Sequence, residues 1–191
     1  MGVRSRSVSS RHVYMGKAVR VRVDTVRLGD DRQAEREVVE RSAAAAMVAL
    51  DEEQRVYLVR QDRPAAGEAL LELPAGLLDA GELPEACASR ELAEEVGLEA
   101  GLVEPLAAYF SSAGFTDEVV HLYLGRQLHP VSGHELDPGE ELEVVKVDLA
   151  EALRMVGSGD IKDAKTVIGL LLVGGRPRRD ENPGWPLLAH S

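Results

Sequence analysis

Three glutamates stand close together in the second half of an acidic stretch from Gly76 to Leu98: Glu91, Glu94 and Glu95. On a helix, Glu91 and Glu95 lie one turn apart, which places their Cβ atoms about 5–6 Å from each other, so that the carboxylates repel. Arg90 is the cation nearest to them in the sequence. The pattern permits two interpretations, a solvated acidic face or a site for a divalent cation. Because carboxylate oxygens are hard ligands, such a cation would be Mg²⁺, with Mn²⁺ as the alternative.

A helix from Pro84 to Val96 would carry these acids. Proline is tolerated in the first turn of a helix, and Gly97 suits the left-handed position just past a helix end. Apolar residues recur every four positions on one side of the segment, at Ala88, Leu92 and Val96. This stripe predicts that one face of the helix packs against a core, while a neighbouring face presents the glutamates.

Strands are predicted before and after this helix. Alternating or continuous apolar runs bounded by turn residues mark 19–24, 37–41, 43–50, 55–61, 69–73, 103–110, 119–124 and 142–147. Two further helices are predicted near the end, over 149–156 and from residue 164 onward. Many strands, one central helix and helices at the end indicate an α+β fold.

Composition and charge exclude some classes of protein. The net charge is −11 over 191 residues, although residues 1–22 contain six basic and no acidic residues. A body this acidic is a poor general binder of nucleic acid, so that partner is not expected. The single cysteine, Cys87, fits a reducing cytosol, and no apolar run has the length of a membrane span, so we expect a cytoplasmic protein.

The acidic stretch resembles the signature of the Nudix hydrolases at every fixed position. The matching residues are Gly76, Glu82, Arg90-Glu91-Leu92, Glu94-Glu95 and Gly97-Leu98. So many fixed residues at fixed spacings make a chance match very improbable, and this favours the cation site over the solvated face. The resemblance implies an α/β/α sandwich with a mixed sheet, and a reaction in which a pyrophosphate bond is hydrolysed.

Segments outside the signature are similar to the ADP-ribose pyrophosphatases of that family. They are the segments 59–64, 71–76, 113–118 and 159–164. The resemblance implies hydrolysis of ADP-ribose to AMP and ribose 5-phosphate. The chain departs from that subfamily at Ala113, where proline is usual. Another nucleoside diphosphate sugar or a dinucleoside polyphosphate therefore stays open as substrate, and a non-catalytic nucleotide-sensing module is the alternative from another class.

The resemblance also implies roles for individual residues. Glu91 and Glu95 are expected to bind the metal together with the backbone carbonyl of Ala75. Glu94 is expected to bind a second metal, and Glu82 is expected to hold a water in the outer shell. Arg90 is expected to orient a glutamate. Gly76 would let the backbone turn so that a main-chain oxygen faces the metal. The catalytic base is expected in a loop after the signature, with Glu140 favoured by register and Glu141 as the second choice.

Three residues are candidates for binding the substrate. Arg63 could hold phosphates through its guanidinium, unless it forms a surface salt bridge. Phe115 could border a ribose or base, although a lone Phe is as often part of a core. Glu118 could receive a ribose hydroxyl or a metal.

The chain divides into four segments. Residues 1–16 are expected to be a flexible basic tail, 17–42 a small antiparallel sheet, 43–175 the Nudix hydrolase domain and 176–191 a C-terminal tail. In the resembling subfamily the small sheet pairs two subunits, so we expect a homodimer. The exposed alternation of Val19, Val21 and Val23 is typical of a sheet that pairs with a partner.

Overall fold

The computed structural model describes residues 6–131 and 141–175. Its small sheet consists of β1 (Arg6–Met15), β2 (Arg20–Arg27) and β3 (Gln33–Glu40). Its larger sheet consists of β4 (Ala44–Leu50), β5 (Arg55–Arg63), β6 (Glu68–Glu72), β7 (Ala75–Leu77), β8 (Leu98–Phe110), β9 (Val119–Pro130) and β10 (Leu142–Asp148). The helices are α1 (Pro84–Val96), α2 (Leu149–Ser158) and α3 (Ala164–Gly174).

The larger sheet is mixed, as the resemblance implied. Its strand order is β10-β5-β4-β9-β8, with β6 paired to β5 and β7 paired to β4. The β4–β9 pair is parallel, whereas the other pairs are antiparallel. The predicted hairpin of 43–50 and 55–61 is present, because Ala49 and Leu50 pair with Tyr57 and Val56.

Strand β4 divides the core into two parts because its side chains point alternately to opposite faces. Ala46, Val48 and Leu50 pack in a cluster that includes residues of α2 and α3. Ala45, Met47 and Ala49 pack in a second cluster with residues of α1. Helices therefore cover both faces of the sheet, and the prediction of an α/β/α sandwich is confirmed.

Helix α1 begins and ends at the predicted residues. Pro84 occupies the first turn, and Gly97 adopts a left-handed conformation with φ of 73°. The backbone N–H of Gly97 lies within hydrogen-bonding reach of the carbonyls of Ala93 and Leu92, which closes the last turn. Ala88 and Leu92 are fully buried, as the apolar stripe predicted. None of the helices in residues 6–131 and 141–175 is both long enough and apolar enough to cross a membrane.

The small sheet differs from the prediction at its first strand. Residues 6–15 form β1 and pair with β2, where a flexible tail was expected over 1–16. All ten side chains of β1 are exposed, so no burial alternation marks this strand in the sequence. Its pairing depends on backbone hydrogen bonds to β2, which the residue types of β1 alone do not reveal.

A short backbone bridge joins the small sheet to the loop that carries residues 111–118. The N–H of Val39 donates to the carbonyl of Phe115 at 2.7 Å, and the N–H of Asp117 donates to the carbonyl of Val39 at 3.3 Å. This bridge sets the end of β3 beside the loop that leads into β9.

Candidate functional site

A cleft of about 970 Å³ collects residues from both halves of the larger sheet. Strand β7 and helix α1 contribute one wall, with Ala75, Gly76, Arg90, Glu91, Glu94 and Glu95. Strands β5 and β6 and the start of α3 contribute another, with Arg63, Glu72, Asp163 and Lys165. A third wall contains Arg41, Tyr109, Ser111 and Glu118. The cleft thus holds the three glutamates that the sequence singled out, together with two of its three predicted substrate contacts.

Gly76 is required by a close approach of Glu91. A Cβ at residue 76 would overlap the carboxylate of Glu91, so any side chain there would force Glu91 to move. Gly76 does not have a positive φ, so the turn that the sequence analysis ascribed to its backbone freedom is not the reason for glycine here. Glycine at this position instead leaves open the space in which the Glu91 carboxylate lies.

Arg90 connects three of the carboxylates. Its guanidinium lies 3.0 Å from Glu82 Oε1, 2.6 Å from Glu91 Oε1 and 2.9 Å from Glu94 Oε2. The hydrogen bond from Arg90, assisted by the N–H of Asp79, lowers the pKa of Glu82 to about 2. The hydrogen bond to Glu82 has the largest effect in raising the pKa of Arg90, and Glu91 and Glu94 raise it further. Arg90 therefore contacts three carboxylates at once, and its expected role in orienting a glutamate stays a prediction.

Glu95 lies one helical turn after Glu91 on α1 and is 5% exposed. Its Oε2 accepts a hydrogen bond of 3.0 Å from the N–H of Ala75, which ties α1 to the start of β7. The neighbourhood of Ala75, Glu91, Glu94 and Glu95 offers only hard oxygen ligands, and this fits a divalent cation such as Mg²⁺. Among the described residues, however, no three acidic, histidine or cysteine side chains are already grouped closely enough to hold an ion.

Arg63 is held by a buried acid. Its guanidinium donates two hydrogen bonds to Glu72, at 2.7 and 2.8 Å, and Lys165 also pairs with Glu72. Burial would raise the pKa of Glu72, which is 2% exposed, but Arg63 and Lys165 outweigh it and lower that pKa. The salt bridge considered for Arg63 is therefore present, and it lies in the wall of the cleft. A guanidinium held in this way is also fixed in position for a ligand.

Of the remaining predicted site residues, Glu118 lines the cleft, whereas Phe115 and Glu141 do not. Glu118 lies in the cleft and pairs with Arg41 at 3.2 Å. Phe115 does not line that cleft; it is 56% exposed and borders a separate groove beside Val13 and Val23. Glu141 is exposed just before β10 and is not one of the residues that line the cleft. Glu140 lies outside the described residues.

Tyr109 has an unusual environment in the third wall. Within the described part of the chain its hydroxyl is buried and has no hydrogen-bond partner. Burial, followed by the charges of Asp163 and Glu118, raises the pKa of Tyr109 to about 12. The side chain therefore remains a neutral hydroxyl that can donate a hydrogen bond at any physiological pH.

Sequence analysis gave no site role to several polar residues of the cleft, among them Arg41, Glu72, Tyr109 and Lys165. Glu72 had a signal, because it is an acid within the otherwise apolar predicted strand 69–73. Arg41 and Lys165 had no such signal, since their partners lie far away in the chain. Lys165, for example, is 93 positions from Glu72.

Comparisons with known proteins agree with this geometry. A family model described as NUDIX domain matches residues 40–168. An ADP-ribose pyrophosphatase from Bacillus subtilis (strain 168) is 35% identical over 166 residues, and the match covers 86% of this chain and 90% of that protein. A GDP-mannose pyrophosphatase from Citrobacter koseri (strain ATCC BAA-895 / CDC 4225-83 / SGSC4696) is 36% identical over 151 residues, which cover 73% and 78% of the two chains.

The fold has a solved counterpart as well. A crystal structure of an ADP compounds hydrolase superposes with a TM-score of 0.79 over 91% of this chain and 95% of the other, at 21% identity. At that identity the likeness supports the fold alone. The family model spans more than half of the sequence, and the relatives align along most of it. The chain therefore belongs to the Nudix family and is a Nudix hydrolase.

Proposed function

We propose that this hydrolase cleaves the pyrophosphate bond of ADP-ribose, with Mg²⁺, to AMP and ribose 5-phosphate. The observation that carries the proposal is the meeting of Glu91, Glu94 and Glu95 with Arg63 in one cleft. The glutamates alone would repel a diphosphate, whereas a bound dication and a facing guanidinium would attract it. The cleft volume suits a ligand of nucleotide-sugar size.

The metal would be held by the acidic wall. Nudix hydrolases generally use divalent metal ions. Glu91 and Glu95, with Ala75, would bind the first ion and Glu94 a second, while Glu82 would hold water through its place beside Arg90. When bound, a dication neutralises diphosphate charge and lowers the pKa of a bound water.

Residues outside the acidic wall would bind the substrate and activate the attacking water. Arg63, fixed by Glu72, would donate hydrogen bonds to phosphate oxygens. Glu140, or Glu141 in second place, would take the proton from the attacking water as the general base. Phe115 would border a ribose or base if the groove beside it joins the substrate site.

A second substrate is favoured by two observations. A relative aligned over most of this chain is named GDP-mannose pyrophosphatase. Ala113 also stands where the subfamily that this chain resembles usually has proline. Hydrolysis of another nucleoside diphosphate sugar is therefore the alternative to ADP-ribose.

The exposed small sheet supports a homodimer. Strand β1 lies at the edge of that sheet, and Val13, Tyr14 and Met15 on it are at least half exposed. Edge strands with exposed apolar residues favour pairing with another chain. Light scattering after size-exclusion chromatography measures this directly: we expect twice the chain mass of 20.6 kDa.

A product assay tests the function. Purified protein is incubated with ADP-ribose, GDP-mannose and a dinucleoside polyphosphate, in Mg²⁺, in Mn²⁺ and in EDTA. We expect AMP and ribose 5-phosphate from ADP-ribose at the highest kcat/KM, and no turnover in EDTA. Glu95→Gln should lose most of the turnover, whereas Glu99→Gln, an exposed glutamate of β8, is the matched control. Full turnover by Glu95→Gln or in EDTA would contradict the metal site.

A further inference from the structure

Three consecutive residues at the junction of β6 and β7 are hydrogen-bonded to three different elements. The N–H of Leu73 donates to Oγ1 of Thr166 on α3 at 2.8 Å. The carbonyl of Pro74 accepts from the N–H of Met47 on β4 at 3.1 Å. The N–H of Ala75, at the start of β7, donates to α1 at 3.0 Å. The path of the chain into β7 therefore depends on α3 and β4 as well as on the acidic helix.

The hydroxyl of Thr166 uses both its donor and its acceptor capacity. Its Oγ1 donates to Oδ2 of Asp163 at 2.6 Å, and the same oxygen of Asp163, the N-cap residue of α3, accepts from the N–H of Thr166 at 3.0 Å. Because a hydroxyl has a single hydrogen, this bond leaves its lone pairs for the N–H of Leu73. Thr166 is fully buried and Leu73 is 1% exposed, so water does not replace either partner.

A second residue on the same face of α3 keeps this helix close to Leu73. Gly169 follows Thr166 by three positions, which places both on one side of the helix. A Cβ at residue 169 would lie 2.8 Å from Cδ1 of Leu73 and 2.9 Å from Cγ2 of Val48, closer than side chains normally approach. Glycine is therefore required by the short distance between α3 and the junction, and the same short distance brings Thr166 within hydrogen-bonding reach of the backbone.

We propose that Thr166 is a positioning residue for the metal site, because it fixes the backbone at Leu73 and thereby the carbonyl of Ala75. The proposal rests on the proposed function, in which Ala75 is a metal ligand. Thr166 does not line the cleft, so it acts through the backbone and not by contact with the substrate. Loss of its hydroxyl would leave a buried N–H without a partner, and the junction would shift to regain one.

Amide hydrogen exchange in EDTA tests the positioning without metal. Thr166→Val keeps the size of the side chain but removes the hydroxyl, whereas Thr166→Ser keeps the hydroxyl. We expect the N–H groups of Leu73 and Ala75 to exchange at least about tenfold faster in Thr166→Val, and within about twofold of the wild-type rate in Thr166→Ser. Unchanged exchange at Ala75 in Thr166→Val would overturn the proposal, because the effect of the hydroxyl would then end at Leu73.

Metal affinity is the second readout. Electron paramagnetic resonance measures the Kd of Mn²⁺ for each protein in the absence of substrate. We expect this Kd to rise about tenfold in Thr166→Val and to stay within about twofold of wild type in Thr166→Ser. An unchanged Kd in Thr166→Val would overturn the proposal.

Val173→Ala is the matched control for the stability of α3. Val173 is buried in the last turn of the same helix, so its truncation leaves a cavity and lowers Tm without changing the first turn. This variant should keep the wild-type Kd for Mn²⁺. An equal rise of Kd in Val173→Ala and Thr166→Val would show that weaker packing of α3 is sufficient, and would overturn the proposal.

These two readouts keep the inference distinct from the proposed function. Neither uses a nucleotide, so a wild type that hydrolyses GDP-mannose faster than ADP-ribose leaves both unaffected. A wild type that binds no Mn²⁺ would overturn the inference together with the metal site.

The requirement for metal during turnover is the third readout, measured with the preferred nucleotide sugar. Thr166→Val should need about tenfold more Mg²⁺ for half-maximal activity, while kcat at saturating Mg²⁺ stays within about threefold of wild type. A loss of kcat that excess Mg²⁺ does not restore would indicate a structural role alone and would overturn the proposal.

Discussion

The carboxylate of Glu91 lies against the backbone of Gly76, in the space that a side chain at residue 76 would occupy. Arg90 holds the same carboxylate from the helix side, at 2.6 Å from Oε1. Strand β7 therefore meets helix α1 through two glutamates, Glu91 at Gly76 and Glu95 at Ala75. Because Glu91 is a proposed metal ligand, its position and the residue type at 76 are coupled.

Gly76→Ala should weaken the response to metal more than the fold. The new methyl group would displace the end of the Glu91 side chain, which is flexible enough to move without unfolding the protein. We expect the Mg²⁺ concentration for half-maximal activity to rise about tenfold, an effect of one misplaced ligand worth about 1.4 kcal/mol. Titration of activity with Mg²⁺ measures this shift.

Gly29→Ala is the control for that substitution. Nothing lies within 4 Å of a Cβ at residue 29, and its φ is not in the left-handed range. This variant should keep the wild-type dependence on Mg²⁺. If Gly76→Ala also behaved as wild type, the carboxylate of Glu91 would not be a metal ligand at that place.

The second prediction concerns the general base, for which two adjacent glutamates are the candidates. Glu140 is preferred by register and lies outside the described residues, whereas Glu141 is exposed just before β10. Removal of a general base costs about 10²–10⁴ in rate, so Glu140→Gln should lower kcat by that factor and Glu141→Gln by less than about threefold. The reverse order in a steady-state assay would move the base to Glu141.

The sequence predicted the helix and its acids because local chemistry determined them. Pro84, Gly97 and the stripe of Ala88 and Leu92 mark the two ends and the buried face of α1 without reference to the rest of the chain. Strands of the larger sheet were also recognisable, since burial of their side chains gives apolar runs. The strand limits were imprecise, since β8 begins at Leu98 instead of residue 103, and the three-residue strand β7 was not predicted.

The rest depended on contacts between distant parts of the chain. Strand β1 could not be recognised because its side chains stay exposed and its order comes from β2. Arg41 could not be assigned because its partners, Asp117 and Glu118, lie 76 and more positions away. Phe115 was expected beside the substrate, yet the backbone bridge to β3 places it on a separate groove.

The third prediction uses the low pKa of Glu82, about 2 in the folded protein against an ordinary value of 4.5. A carboxyl whose folded pKa is depressed stabilises the fold above its unfolded pKa and loses that contribution as the pH falls through the folded pKa. The free energy of unfolding of wild type should therefore exceed that of Glu82→Gln by a constant amount above pH 5. The difference should disappear between about pH 4.5 and pH 2. Urea titrations across this range measure it, and a difference independent of pH would contradict the ion pair with Arg90.

The last prediction compares two glutamates of strand β6 that both pair with lysines near the start of α3. Glu72 is 2% exposed and holds Arg63 and Lys165, whereas Glu68 is half-exposed and holds Lys162 at 2.9 Å. Glu72→Gln would leave two cations beside an uncharged group, and partial exposure of Arg63 reduces the cost below that of a fully buried pair. We expect a loss of about 2–3 kcal/mol in the free energy of unfolding, against less than about 1 kcal/mol for Glu68→Gln. Chemical denaturation of both variants measures these losses, and similar small values would show that the Glu72 network does not stabilise the contact between β6 and α3.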